Sequence, residues 1–179
     1  YYTRHLLLHE GVHSLAYYLF NGAGPTWFQE GSAELLATHE GSGNEIRVNR
    51  IPQTREQAPY WGRFKRMNQA TSDGQVPSLP AVLDYQPSLS GDVATYSWSW
   101  AACMLLTSYP EYRGTFIATA RQGKETGPGF NRQLQTSLDR HWPILAARWR
   151  LACHELDYGF DWQRERVALS AQDPVWDGN

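Results

Sequence analysis

Apolar residues recur along the first twenty positions at intervals that suit a helix. From about Thr3 to Phe20, Leu6, Leu7, Leu8, Val12, Leu15, Ala16 and Leu19 supply an apolar surface, and Thr3 is placed to cap the start. Asn21-Gly22-Ala23-Gly24-Pro25 then ends that helix, with residues that tolerate a left-handed backbone followed by a proline. A second helix is expected from about Thr26 to His39, carrying Trp27, Phe28, Ala33, Leu35 and Leu36, until Gly41-Ser42-Gly43-Asn44 breaks it. Glu45 to Asn49 alternates polar with apolar residues and is the best candidate for a short strand.

The pattern is helical again from Thr54 to Ala70, interrupted around Pro59, and turn-rich from Thr71 to Pro80. A short segment at Ala81 to Tyr85 and another loop precede a strongly apolar helix from Thr95 to Ser108. Further helices are expected near Glu111 to Arg121, from about Asn131 after the glycine-rich break at Gly123 to Gly129, and from about Pro143 to Leu156. There is no repeat and no low-complexity tract. These elements predict one domain over residues 1–179, of α+β class but mainly α, with about 151–179 as a C-terminal extension.

Composition narrows the function classes. Apolar residues make up 41% and charged residues 19%, an ordinary globular balance. The net charge of −2 is scattered over both signs, so no basic stripe points to nucleic acid. No run approaches the roughly 18 apolar residues that span a bilayer. The chain opens at Tyr1 without an initiating Met or signal sequence, and so reads as part of a longer protein. Eight tryptophans belong either to the core or to an aromatic substrate cleft. Cys103 and Cys153 lie far apart and outside any CxxC pattern, which excludes a zinc knuckle and leaves a disulfide or two buried thiols open.

The chemistry concentrates at His9-Glu10-Gly11-Val12-His13, an HExxH motif. Four residues apart on a helix, His9 and His13 share one face and can reach one cation. Glu10 is about 100° further round the axis, beside a metal rather than on it. There it can take a proton from water, whose pKa zinc lowers to about 7. Two histidines need a third protein ligand, and Glu30 offers it within Trp27-Phe28-Gln29-Glu30-Gly31-Ser32-Ala33-Glu34. Glu34, one turn later, can accept a hydrogen bond from the free ring nitrogen of a ligating histidine. Taken alone, Glu30 and Glu34 are a solvated helix pair.

HExxH followed by a helix bearing W-x-x-E-G-x-A-E resembles the gluzincins, the clan of thermolysin and the zinc aminopeptidases. The likeness is greatest to the small peptidase-MA-like domains of bacterial exported proteins. It extends to Leu79-Pro80-Ala81-Val82-Leu83, to Tyr96-Ser97-Trp98-Ser99-Trp100-Ala101 and to a late helix near Trp142 to Trp149. The resemblance implies a zincin-like fold and one Zn2+ held by His9, His13 and Glu30. It also implies Glu34 behind His9, Glu10 as general base, and peptide or protein substrates met outside the cytoplasm. Tyr96 is the candidate for the residue that stabilises the oxyanion, with a core tyrosine as the alternative. The clan's β-sheet upstream of the first helix, which binds extended peptide, is missing or truncated in the part shown. Two other readings stay open: an inactive module stabilised by zinc, and a hydrolase acting on cell-wall peptide amides.

Several residues look tempting but read as structural. A linear His5-His9-His13 stripe spans about 12 Å along the axis and cannot wrap one ion. His39 and His141 read as helix caps or surface residues, and His154-Glu155 lacks its second histidine. Asp92 reads as a cap for the helix of Tyr96. Gly11 costs about 1 kcal/mol relative to Ala in a helix, which close approach of a neighbouring backbone would explain.

Overall fold

The computed structural model describes residues 1–86, 92–124, 126 and 128–162. It is mainly helical: α1 (Tyr2–Phe20), α2 (Thr26–Ala37), α3 (Arg63–Ser72), α4 (Leu79–Leu83), α5 (Val93–Ser108), α6 (Pro110–Ala120), α7 (Pro128–Leu138) and α8 (Trp142–Glu155). The described sheet is two strands of two residues each, β1 (His39–Glu40) and β2 (Arg47–Val48), paired antiparallel with His39 opposite Val48. The strand expected at Glu45 to Asn49 is therefore real but shorter.

Helix α5 is the axis of the core. Every residue from Ser97 to Leu106 is buried, and α2 packs along it more extensively than any other element. Gly31 permits that approach. A Cβ there would overlap the Ser99 carbonyl and come within 2.7 Å of Cys103 Sγ. Among the described residues, Trp27, Trp61, Trp98, Trp100 and Trp149 are in the interior: Trp61 and Trp100 meet edge to face at 5.6 Å, and the Trp27 indole donates to Asn131 at 2.8 Å. Trp149 donates to the Pro77 carbonyl at 2.8 Å. These are core residues, not a cleft. Cys103 and Cys153 are buried and free.

Helix boundaries follow local chemistry. Asn21 ends α1 in the left-handed conformation at φ 56°, with its amide on the Tyr17 carbonyl. Four residues later Pro25 stands at the N-cap of α2, and the Gly24 amide ties this turn to the Gly123 carbonyl at 2.8 Å. Asp92 caps α5 by accepting from the Ala94 amide at 2.9 Å, the role its sequence position suggests.

Four expectations need correction. Helix α1 begins at Tyr2 with Tyr1 at the cap, so Thr3 is inside it. Helix α2 stops at Ala37, because Thr38 turns extended and sends His39 into β1. His39 is fully buried, not a surface residue: it stacks on Tyr1 at 4.3 Å, donates from Nδ1 to the Ala37 carbonyl and accepts from Arg4. Burial, then the positive charge of Arg4, pulls its pKa down. Gly11 has open space where a Cβ would go, so no neighbouring backbone explains it. The loop before α5 falls partly outside the described residues, as does the C-terminal extension beyond Trp162. Its start, through Leu156 and Trp162, packs onto the core.

Candidate metal centre

Helices α1 and α2 run antiparallel, which is why successive turns of one face successive turns of the other in reverse order. His13 and His9 meet Glu30, His9 and His5 meet Glu34, and His5 meets the Ala37 carbonyl. Among the described residues, His9, His13 and Glu30 form one of two groups able to gather a metal ion.

Three atoms converge in that group. His9 Nε2 lies 3.0 Å from His13 Nε2, and Glu30 Oε2 lies 3.3 Å from the first and 3.5 Å from the second. A tetrahedral zinc site with bonds of about 2.0–2.1 Å has edges of roughly 3.3–3.4 Å, so the donor set fits. Glu30 Oε2 is buried and has no aligned hydrogen-bond donor among the described residues, an acceptor left for something else. Two imidazole nitrogens and a carboxylate oxygen suit zinc and other divalent first-row metals alike.

Glu34 lies behind His9. Its Oε1 is 3.1 Å from His9 Nδ1, within ion-pair reach though off the hydrogen-bond axis. Arg63 grips the same carboxylate through both oxygens, Nε to Oε2 at 3.0 Å and Nη2 to Oε1 at 2.7 Å, and His5 Nε2 stands 3.2 Å from Oε2. The second metal-capable group, His5 with His9 and Glu34, already holds a guanidinium there. A second cation has no charge to meet. His5 contacts Glu34 and the Ala37 carbonyl rather than joining His9 and His13 in one stripe around an ion. Arg63 is the residue sequence reasoning missed: it arrives 29 positions after Glu34, and no local pattern marks it.

The charges set the titration of the site. Burial lowers the pKa of His9, but the carboxylates of Glu30 and Glu34 outweigh it and raise the value to about 9. Burial likewise pushes Glu30 up, and the two imidazoles overcome that and hold it near 2. Glu34 also stays well below the usual range despite its burial, through His5, His9 and Arg63.

Of the other two expected residues, Tyr96 touches the trio and Glu10 follows His9 on α1. Glu10 is exposed on α1, next to His9 in sequence. Tyr96, in the first turns of α5, sets its ring edge to face against His9 at 5.9 Å, and the Arg63 guanidinium lies 5.4 Å from the tyrosine ring. The structure thus brings His9, His13 and Glu30 together, with Glu34 and Tyr96 against His9, while Glu10 follows His9 in sequence and is exposed. Comparison with protein-family models, curated proteins and solved structures finds no match to this chain. What the centre does must be argued from its chemistry.

Proposed function

We propose that this chain is a zinc-dependent hydrolase of peptide bonds, built on a zincin-like pair of helices. The observation that carries the reading is the convergence of His9 Nε2, His13 Nε2 and Glu30 Oε2 to within 3.0–3.5 Å, with Glu10 on the same helix. His9, His13 and Glu30 would hold the ion. Bound there, zinc supplies Lewis acidity, polarising a carbonyl oxygen and making water acidic near neutral pH.

The protein's own groups do the rest. Glu10, exposed and outside the ligand set, accepts the proton from the attacking water and passes it to the leaving amine nitrogen. Tyr96, against His9, supplies a hydroxyl for the carbonyl oxygen as it gains charge. Glu34 sets the orientation of the His9 ring, and Arg63 fixes Glu34. Glu10 also favours turnover over a purely structural ion, because a structural site has no use for a carboxylate beside its ligands. An extracytoplasmic location belongs to the same proposal and rests on the resemblance; among the described residues no helix is long and apolar enough to cross a membrane.

Glu10→Gln is the deciding variant. Metal content should be unchanged while hydrolysis of a peptide library falls by about 10²–10⁴-fold. Activity that survives the substitution would remove Glu10 from the mechanism. Full activity after chelation would remove the metal.

A further inference from the structure

Helix α1 rests chiefly on α2 and leaves its opposite face apolar. Leu7, Leu15, Tyr18 and Leu19 are 73%, 53%, 85% and 56% exposed. Among the described residues, no other helix exposes more than one large apolar side chain: Leu36 on α2 and Ile117 on α6. Helical spacing gathers Leu7, Gly11, Leu15 and Tyr18 into one stripe, at intervals of four, four and three residues. Gly11 is at its middle, with nothing within 4 Å of a Cβ built there. Gly114 on α6 is equally open, but only Ile117 accompanies it, so an open glycine alone marks nothing. The apolar stripe around Gly11 sets it apart. Apart from its histidines α1 carries two charged residues, Arg4 and Glu10, and neither is among those four.

Area, charge and symmetry decide what covers such a stripe. At these exposures Leu7, Leu15, Tyr18 and Leu19 present roughly 500 Å², and two such faces together reach about 1,000 Å², the size at which a specific protein interface holds. A membrane surface calls for a rim of Lys or Arg. Helix α1 has no lysine, and its one arginine already donates to His39 Nε2 at 2.9 Å and to the Gly41 carbonyl at 3.2 Å. The stripe is instead complementary to itself. Leu7 and Leu15 stand four residues either side of Gly11, and Arg4 and Tyr18 seven either side. Two copies of α1 crossing antiparallel at Gly11 set Leu7 of one against Leu15 of the other, and the Tyr18 ring of one against Arg4 of the other. With no Cβ at the crossing, the axes can approach to the short end of the usual distance of about 8–10 Å. His9 and His13, each two residues from Gly11, lie about 160° from it round the axis, so pairing leaves the metal-capable face on the far side. We propose that α1 is a dimerisation surface for a second copy of this chain, antiparallel, with the two-fold axis at Gly11. The pairing does not depend on the reaction proposed for the metal centre.

Sedimentation equilibrium of the whole chain should show a monomer–dimer equilibrium with a Kd on the order of 10 µM, as befits an interface at the small end of the range. Leu15→Glu sets a carboxylate against Leu7 of the other copy and should weaken the dimer at least about 100-fold. The monomer's melting temperature should stay where it is, because residue 15 already meets solvent. Gly11→Ala separates a fitted crossing from mere stickiness. The added methyl leaves the dilute monomer no less stable, since Ala suits a helix better than Gly. In the dimer two such methyls meet at the crossing, which should loosen it about tenfold. A chain that stays monomeric about tenfold above the expected Kd overturns the proposal, whether or not it binds phosphatidylcholine vesicles. A dimer indifferent to both substitutions overturns it as well, and so does self-association that runs past the dimer without a plateau.

Discussion

At the scale of single residues, His9 carries two conflicting demands. In the metal-free protein it sits between two carboxylates and keeps its proton up to about pH 9, whereas a metal ligand must offer a bare nitrogen. Zinc must therefore displace one proton from His9 at neutral pH. Calorimetry at pH 7 in buffers of different ionisation enthalpy should read about one proton released per ion, and apparent affinity should climb with pH until about 9. No proton release would contradict the arrangement. The signs for the metal-free fold are opposite for the two partners. The raised His9 pKa stabilises fully below 6.5, and that contribution is lost as pH rises through about 9; the lowered Glu30 pKa stabilises above 4.5 and is lost as pH falls toward about 2. Arg63 gives a second test at this scale. Arg63→Gln leaves Glu34 buried without its closest partner, and should cost about 3 kcal/mol in urea melts and about tenfold in zinc affinity. The convergence was legible in the sequence because helical spacing alone puts His9 and His13 on one face and Glu30 and Glu34 on another. Arg63 was not, because its contact is made by tertiary folding and no periodicity encodes it.

At the scale of elements, two glycines in neighbouring helices should respond with opposite signs. Gly31 faces the Ser99 carbonyl across the α2–α5 contact, so Gly31→Ala trades a helix-propensity gain of about 1 kcal/mol for overpacking of about 1–3 kcal/mol. Net destabilisation in denaturant melts is the expected result. Gly11 has nothing within 4 Å, so Gly11→Ala should gain about 0.5–1 kcal/mol. Equal effects at both positions would mean that the close approach of α2 to α5 is absent. The same contrast shows what the chain's pattern could reveal. All the long helices were readable from apolar period and breakers, to within a few residues. What failed lay at element ends: backbone preference at Thr38, not hydrophobicity, stops α2 and buries His39. Gly11 failed for the converse reason, since sequence marks a helix-weakening residue but not whether anything stands opposite it.

At the scale of the whole molecule, α1 is the least anchored of the elements that build the centre. It rests chiefly on α2, while its far side exposes Leu7, Leu15, Tyr18 and Leu19. Two of the three metal-capable residues come from α1 and one from α2, so an ion there would cross-link the loosely held helix to the core. Ligand that binds only the folded state stabilises it by about 2.7 kcal/mol at a hundredfold excess over Kd. For a chain of this length that corresponds to a rise of about 5–10 °C in melting temperature. The gain should not be uniform. Chelation should speed amide hydrogen exchange in α1 between His5 and Phe20 while leaving Ser97 to Leu106 of α5 protected, because α5 owes its burial to packing on several helices. His13→Ala should abolish both the zinc-dependent rise and the protection of α1. If exchange instead quickens evenly along the chain, or zinc leaves α1 unprotected, the ion does not join these two helices.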